Sequence, residues 1–525
     1  VVRAVLPTVP AKTLAWLGEP ESAGLIRRGL RGIEKECLRV DAHGHLSAAK
    51  HPVGLGSALT HPYITTDYSE ALLEFVTPPL GSNWELLQFL CDVHAFVVRQ
   101  LGDELLWPQS MPCVVDPDQD VPIACYGKSN IGRLKTVYRR GLGHRYGRAM
   151  QAIAGVHFNY SLPVEFWDAY QPYCRDTRGR AAFLSDHYLR MARNYRRHAW
   201  VLIYLFGSSP ALCKSFPLRD GHGLESFDPS TWYLPFGTSL RMSDIGYRNR
   251  SQSGLKISLN SLDDYVAGLS AAITERNPDY EQIGVKVDGE YRQLNANTLQ
   301  IENEYYAAVR PKAVATLDLR PAAALRARGV DYVEIRSLDL STVDPVGVNQ
   351  TQLRFVELLL LFCLFAESPP IGVEEQAEID IRELRVAREG RREGLSLTIG
   401  GRDVALRQLG LDLSDALEHF AAILDGDGSD YRDAVARQRA VFEEPEATPS
   451  GQMLAAMRDR EQGFVEFTLE IAHAHREYFD ALALESATQA RFEALARRSL
   501  DEARSLEEGP APSFDDFLAA YLRSG

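Results

Sequence analysis

The strongest constraint on how this chain folds is a set of short strand-like runs whose polar residues recur at every second position and are mostly carboxylates. In GIEKECLRV, Glu34 and Glu36 are two apart, so a strand points both to one face and Ile33 to the other. GVHFNYSLP puts His157 and Asn159 on one face against Val156, Phe158 and Tyr160. DYVEIRSLD sets Glu334 and Arg336 against Val333 and Ile335. ALLEFVTP carries Glu74 inside an apolar run, a short turn after Asp67 of ITTDYSE. LQIENEYY is expected to place Gln300, Glu302 and Glu304 on one side of a further strand. Such alternation belongs to antiparallel sheet with one packed and one polar face.

Taken singly, each run fits an ordinary solvated face. Together they do not, because a solvated face mixes Lys, Thr and Ser with acids, whereas these runs concentrate Glu with one His and one Arg. Carboxylates gathered on one surface repel unless a cation neutralises them. That points to Mg²⁺ or Mn²⁺ held by oxygen ligands and a single imidazole, with bound phosphates completing the coordination. The usual phosphate loops are absent: Gly127-Lys128-Ser129 lacks the earlier glycine of a Walker loop, and GLGHRYG at 141–147 misses the dinucleotide spacing. There is no HExxH and no GxSxG, and the His43/His45 and His473/His475 pairs read as surface residues.

A net charge of -14 argues against nucleic acid as a partner. The longest apolar stretch, FVELLLLFCLF at 355–365, contains Glu357 and is shorter than the roughly 20 residues a bilayer span needs, so it reads as a buried helix. VVRAVLPTVPAK makes a poor signal peptide, and the expected location is the cytoplasm, away from membranes. Seven scattered cysteines form no CxxC pair and imply thiols that are mostly buried and reduced, with a Cys113–Cys174 pairing left open. No internal repeat is visible. Residues 1–350 are expected to form a catalytic α+β portion, and 351–525 a mainly helical lobe packed on it as part of one structural unit. Helical spacing is expected at 352–367, 412–425, 452–483 and 486–507, with a break at 443–451.

A second constellation combines arginine with tyrosine in YRRGLGHRYG, YLPFGTSLRMSDIGYRNRSQS and IENEYYAAVRPK. Cationic forks beside phenols suit a small carboxylate or a phosphate, although ordinary core Tyr and surface Arg account for them slightly better.

Taken in order, RGIEKECLRV, GSALTHPYITTDYSEALLEFVTP, WPQSMPC, SNIGRLKTVYRRGL, GVHFNYSLP, YLPFGTSLRMSDIGY, LQIENEYYAAVRPK and VDYVEIRSLDL closely resemble the proteobacterial type of glutamate–cysteine ligase. The likeness runs from about 22 to 350 and continues more weakly beyond. It implies an α+β fold like that of glutamine synthetase, with a curved antiparallel sheet forming a cup-like active site. It implies Glu34, Glu36, Asp67, Glu74, His157 and Glu334 as metal ligands. Arg336 corresponds to an arginine placed against the ATP phosphates, and Arg139 to one near the transferred group. Tyr138, Gln151, Asn159, Arg241, Tyr247 and Tyr306 correspond to substrate positions. Tyr68 stands where some relatives have Phe, and Lys35-Glu36-Cys37 replaces the common Arg-Glu-Thr while keeping both carboxylates. The implied reaction joins L-glutamate to L-cysteine through γ-glutamyl phosphate, with ATP as substrate and Mg²⁺ as cofactor, Mn²⁺ substituting. Feedback by glutathione follows from the same resemblance, and the chain is expected to be a monomer. The nearest rival is a sister ligase using another amine; a non-catalytic nucleotide-binding regulator would be expected to have lost an acid or Arg336.

Overall fold

A computed structural model describes residues 6–115, 121–246, 254–314 and 319–523. Its centre is a seven-stranded sheet formed by β1 (Leu30–Val40), β2 (Ile64–Thr66), β3 (Leu72–Val76), β4 (Leu105–Leu106), β5 (Val156–Ser161), β6 (Val309–Lys312) and β7 (Tyr332–Leu338). The order is β6-β7-β5-β1-β3-β2, with β4 pairing the end of β1, and every pairing is antiparallel. β1 is central because it is long enough to pair with β5 along its first half and with β3 and β4 along its second.

Alternation decides which face is packed. Ile33, Leu73, Phe75, Val156, Phe158, Tyr160, Val333 and Ile335 all join the main apolar core. Helices α1 (Asn83–Val98), α3 (Arg180–His198), α4 (Trp200–Phe206) and α5 (Gln350–Phe365) cover that face. α5 is buried along nearly its whole length, as its uninterrupted apolar run requires. It starts on a capping box in which the Asn349 side chain and Gln352 satisfy each other's backbone N–H groups. Its one acid, Glu357, pairs with Arg31 from the packed face of β1. The core is continuous from Leu17 to Phe492, so it includes α5 and the helices that follow.

The C-terminal third is richer in helices than the spacing indicates, with α6 (Val373–Glu389) and α8 (Asp430–Glu443) flanking α7 (Leu406–Asp425). The expected continuous helix over 452–483 is two, α9 (Pro449–Asp459) and α10 (Phe464–Ala481). The chain turns between them at Glu461, whose φ is +53°, and Gly463 starts the second helix. α11 (Ser486–Glu508) and α12 (Phe514–Arg523) complete the chain. No helix among the described residues is long and apolar enough to cross a membrane. All seven cysteines are free, Cys113 buried and Cys174 exposed, so these two are not paired.

Candidate active site

The polar face of the sheet is assembled by strand register. On β1, Glu34 lies opposite His157 of β5, and Glu36 opposite Glu74 of β3. Asn159 of β5 lies opposite Glu334 of β7. The β7 register slips between Ile335 and Leu338, the stretch that contains Arg336, an irregularity of the kind that re-aims a side chain.

His157 is the hub. Its Nδ1 is 3.2 Å from Glu34 Oε2 and 3.6 Å from Glu334 Oε1, and its Nε2 is 3.7 Å from Glu36 Oε1. Arg336 Nη1 donates to Glu334 Oε1 at 2.5 Å and lies 3.4 Å from His157 Nδ1. Lys312 Nζ is 2.8 Å from Glu334 Oε2. Asn159 Nδ2 donates to Glu34 Oε1 at 2.9 Å, and the Gly155 N–H donates to Glu36 Oε2 at 2.8 Å.

Charge is unevenly distributed across this face. Burial raises Glu334, yet Lys312, Arg336, Arg310 and His157 overcome it and hold the carboxyl well below its ordinary range. Burial and Glu334 likewise push Glu34 up, and His157 and Lys312 bring it below. Toward β3 the balance reverses. Burial drives Glu36 up, Asp67 adds to the rise, and His157 and Arg241 offset only part of it. Glu74 goes well above its ordinary range through burial, then through Asp67, Glu34 and Glu36, which outweigh the pull of Arg139 and of the nearby Lys135. This end holds more carboxylates than its cationic side chains can neutralise. Ligand atoms of Glu34, Glu74 and His157 lie within 4.8 Å of one another. Two carboxylates and an imidazole at that separation can hold a hard divalent cation, with Glu36, Asp67 and Glu334 around them.

The rim of the site comes from helices and loops. α2 (Asn130–Tyr146) starts at Ser129, whose side chain accepts from the Gly132 N–H, and carries Tyr138 and Arg139. Arg139 Nε donates to the Asp67 carbonyl, and its guanidinium lies 4.6 Å from the centre of the Tyr126 ring. The Tyr126 hydroxyl donates to the Thr66 and Asp67 carbonyls at 2.7 and 3.0 Å, fixing the turn that presents Asp67. Tyr138 is partly buried and packs against a satellite cluster containing Leu134, Val137 and Phe514. Gln151 lies in the 3-10 turn Ala149–Ala152. Arg241 is buried, with Nη2 donating to the Arg336 carbonyl at 2.8 Å and Nη1 3.3 Å from Met242 Sδ. A Cβ at residue 155 would stand 2.1 Å from Arg241 Nη2, so the guanidinium requires glycine there. The Tyr306 hydroxyl donates to Met242 Sδ at 3.4 Å. Tyr247 lies outside the described residues.

The structure thus gathers Glu34, Glu36, Glu74, His157, Asn159, Glu334 and Arg336 on one face, with Asp67 and Arg139 meeting at its β2 end. Gln300, Glu302 and Glu304 do not extend it, and the expected strand there is a 3-10 turn, Glu302–Glu304. Both acids are committed to arginines: Glu302 pairs with Arg320 at 2.7 Å, and Glu304 with Arg145 at 2.9 Å. The sequence-based set lacks Arg310 and Lys312. VRPK alternates like the acid-bearing runs, and β6 sets Arg310 opposite Glu334, so the same period identifies them.

The glutamate–cysteine ligase family model matches residues 14–386. The chain is 47% identical over 521 residues to the glutamate–cysteine ligase of Azotobacter vinelandii, covering 98% of each. It is likewise 47% identical over 500 residues to that of Alcanivorax borkumensis, covering 94% of this chain and 95% of that one. Among solved structures, glutamate–cysteine ligase from Francisella tularensis in complex with AMP superposes with a TM-score of 0.89 at 34% identity, covering 95% of this chain and 98% of that one. A bifunctional glutathione synthetase from Pasteurella multocida shares the fold, with a TM-score of 0.68 at 22% identity, covering 93% of this chain and 58% of that one. With an acid-bearing antiparallel sheet of this register and relatives matched over nearly their full length, the chain belongs to the glutamate–cysteine ligase family.

Proposed function

We propose that this chain phosphorylates the γ-carboxyl of L-glutamate with ATP and passes the acyl group to the amine of L-cysteine. The products are γ-glutamylcysteine, ADP and phosphate, the first step of glutathione biosynthesis. The observation that carries the reading is the imbalance of the polar face: Lys312 and Arg336 offset Glu334 at one end, while Glu36, Glu74 and Asp67 exceed their cations at the other. Mg²⁺, with Mn²⁺ able to substitute, fits that excess, and would screen the triphosphate from the carboxylates and favour charge build-up on the transferring group. Glu34, Glu74 and His157 would hold it, with Glu36, Asp67 and Glu334 as further ligands.

Arg336 presents a planar fork to the phosphates and Arg139 a second cation near the transferred group. Lys312 adds positive charge beside Glu334 on the same face. A free carboxylate is a poor acyl donor, so phosphorylation is what opens it to the amine. Tyr138, Gln151, Asn159, Arg241 and Tyr306 would line the pocket for the two amino acids, the tyrosines and Arg241 on the cysteine side, where the resemblance also assigns Tyr247. In this reading the sheet curves into a glutamine synthetase-like cup, residues 1–350 are the catalytic portion, and residues 351–525 brace it as part of one monomeric unit. The enzyme works in the cytoplasm and is inhibited by glutathione. ADP release measured against cysteine, ammonia and other amino acids tests the assignment. Cysteine should give the highest kcat/KM, and a clear preference for another amine would make this a sister ligase.

A further inference from the structure

Arg241 is held from below by a carboxylate that has no place on the polar face. Asp339 follows β7, three residues beyond Arg336, and is 3% exposed. Its Oδ2 accepts from the Ser208 N–H at 2.9 Å and the Ser209 hydroxyl at 2.6 Å. Its Oδ1 accepts from the Ser239 hydroxyl at 3.0 Å and faces Arg241 Nη1 at 3.7 Å. The two loops that supply these donors are laced together: Ser209 N–H donates to the Thr238 carbonyl at 3.2 Å, and Leu240 N–H to the Ser209 carbonyl at 2.7 Å. One buried carboxylate therefore joins the end of β7, the loop after α4 and the loop carrying Arg241.

We infer that Asp339 is the positioning residue for Arg241, setting its guanidinium both for the amino-acid acceptor and against the Arg336 carbonyl. The inference rests on the proposed assignment of Arg241 to the cysteine side. The neutral donors stabilise the Asp339 carboxylate, while Arg241 supplies the only opposite charge within ion-pair distance among the described residues. Arg241 Nη2 in turn fixes the backbone of Arg336. Arg336 also keeps anchors of its own, the Glu334 carboxylate for its guanidinium and the Ala308 carbonyl for its N–H at 2.9 Å, so a shift of Arg241 bears on the acceptor far more than on the fork at the phosphates.

The test is a double-mutant cycle on the full-length enzyme, with KM measured for each substrate in turn. Asp339→Asn keeps the shape and an acceptor for the Ser208 N–H but removes the charge facing Arg241. It is expected to raise the KM for cysteine about tenfold, with those for glutamate and ATP within about twofold of wild type. In an Arg241→Ala background it should add less than about twofold, because the two residues act as one. Equal rises in all three KM values, or full additivity with Arg241→Ala, would overturn the inference. If Arg241→Ala alone leaves the KM for cysteine unchanged, the assignment of Arg241 to the acceptor falls, and the inference with it. Should Asp339→Asn fail to fold, Ser209→Ala perturbs the same carboxylate more lightly. A roughly threefold rise confined to cysteine supports the inference, and an equal effect on all substrates refutes it.

Discussion

Replacing Glu357 with Leu should destabilise the enzyme while sparing its chemistry. Glu357 is the one acid in the apolar run of α5 and is fully buried, as is nearly all of Arg31 on the packed face of β1. The guanidinium grips the carboxylate through both oxygens, Nη2 on Oε1 and Nε on Oε2 at 3.2 Å, and the Tyr431 hydroxyl donates to Oε2 at 2.8 Å. Removing the carboxylate strands a buried guanidinium, a loss of about 3–5 kcal/mol. The lower half of that range applies, because Arg31 keeps the Gly29 and Gly81 carbonyls. With roughly 2.1 cal/mol/K of unfolding entropy per residue, a cooperative unit of this length shifts about 1 °C per kcal/mol, so Tm should fall by about 3–4 °C. Differential scanning calorimetry measures it. Arg31→Met combined with Glu357→Leu should return to within about 1 kcal/mol of wild type, since a well-packed apolar pair replaces both charges. Activity at 25 °C should stay near normal in both variants, because Arg31 points away from Glu34 and Glu36. A single variant melting within about 1 °C of wild type, or a double variant no better than the single, would refute this reasoning.

Arg336→Lys should lower kcat by about 10²-fold or more, because a compact ammonium cannot reproduce the fork that spans Glu334 and the phosphates; near-normal steady-state kcat would remove Arg336 from the catalytic shell. Chelator treatment should abolish turnover and added Mg²⁺ restore it, and undiminished activity in the treated sample would contradict the metal assignment. His198 is buried, and burial first, then Arg382 and Arg197, pull its pKa down to about 3 from 6.5. The unfolded chain therefore binds the proton that the folded one refuses, so stability falls as pH drops from about 6.5 toward 3, reaching a loss of about 2–3 kcal/mol near pH 4.5. His51, His61 and His475, which burial also pulls down to about 4, add to the same slope. His198→Gln should therefore make that part of the stability profile shallower without abolishing it, and an unchanged slope in urea titrations would show that His198 does not contribute.

The period-two runs made the polar face legible because each side chain of a strand has only two directions, and burial of Val156, Phe158, Val333 and Ile335 fixes which one. The helix at 350–365 was equally plain from its length and apolarity. LQIENEYY misled because alternation there comes from Glu302 and Glu304 each meeting a distant arginine, Arg320 and Arg145, a tertiary choice that no local pattern records. The division of 452–483 into two helices turns on a positive φ at Glu461, which the side chain gives no reason to expect. The alternation of VRPK marks Arg310 and Lys312 as sharing a polar face, but the run is only four residues long and contains a proline, and it is the register against β7 that sets them beside Glu334. Asp339 was invisible for another reason: its partners Ser208, Ser209, Ser239 and Arg241 lie about a hundred or more residues away.

The central claim is that the γ-carboxylate of glutamate is phosphorylated before the amine of cysteine attacks it. Glutamate carrying ¹⁸O in its γ-carboxylate, incubated with the enzyme, ATP, Mg²⁺ and cysteine, tests this directly by mass spectrometry of both products. The account predicts γ-glutamylcysteine together with phosphate that has gained one ¹⁸O atom per turnover. Unlabelled phosphate, or ADP release without γ-glutamylcysteine, would contradict it.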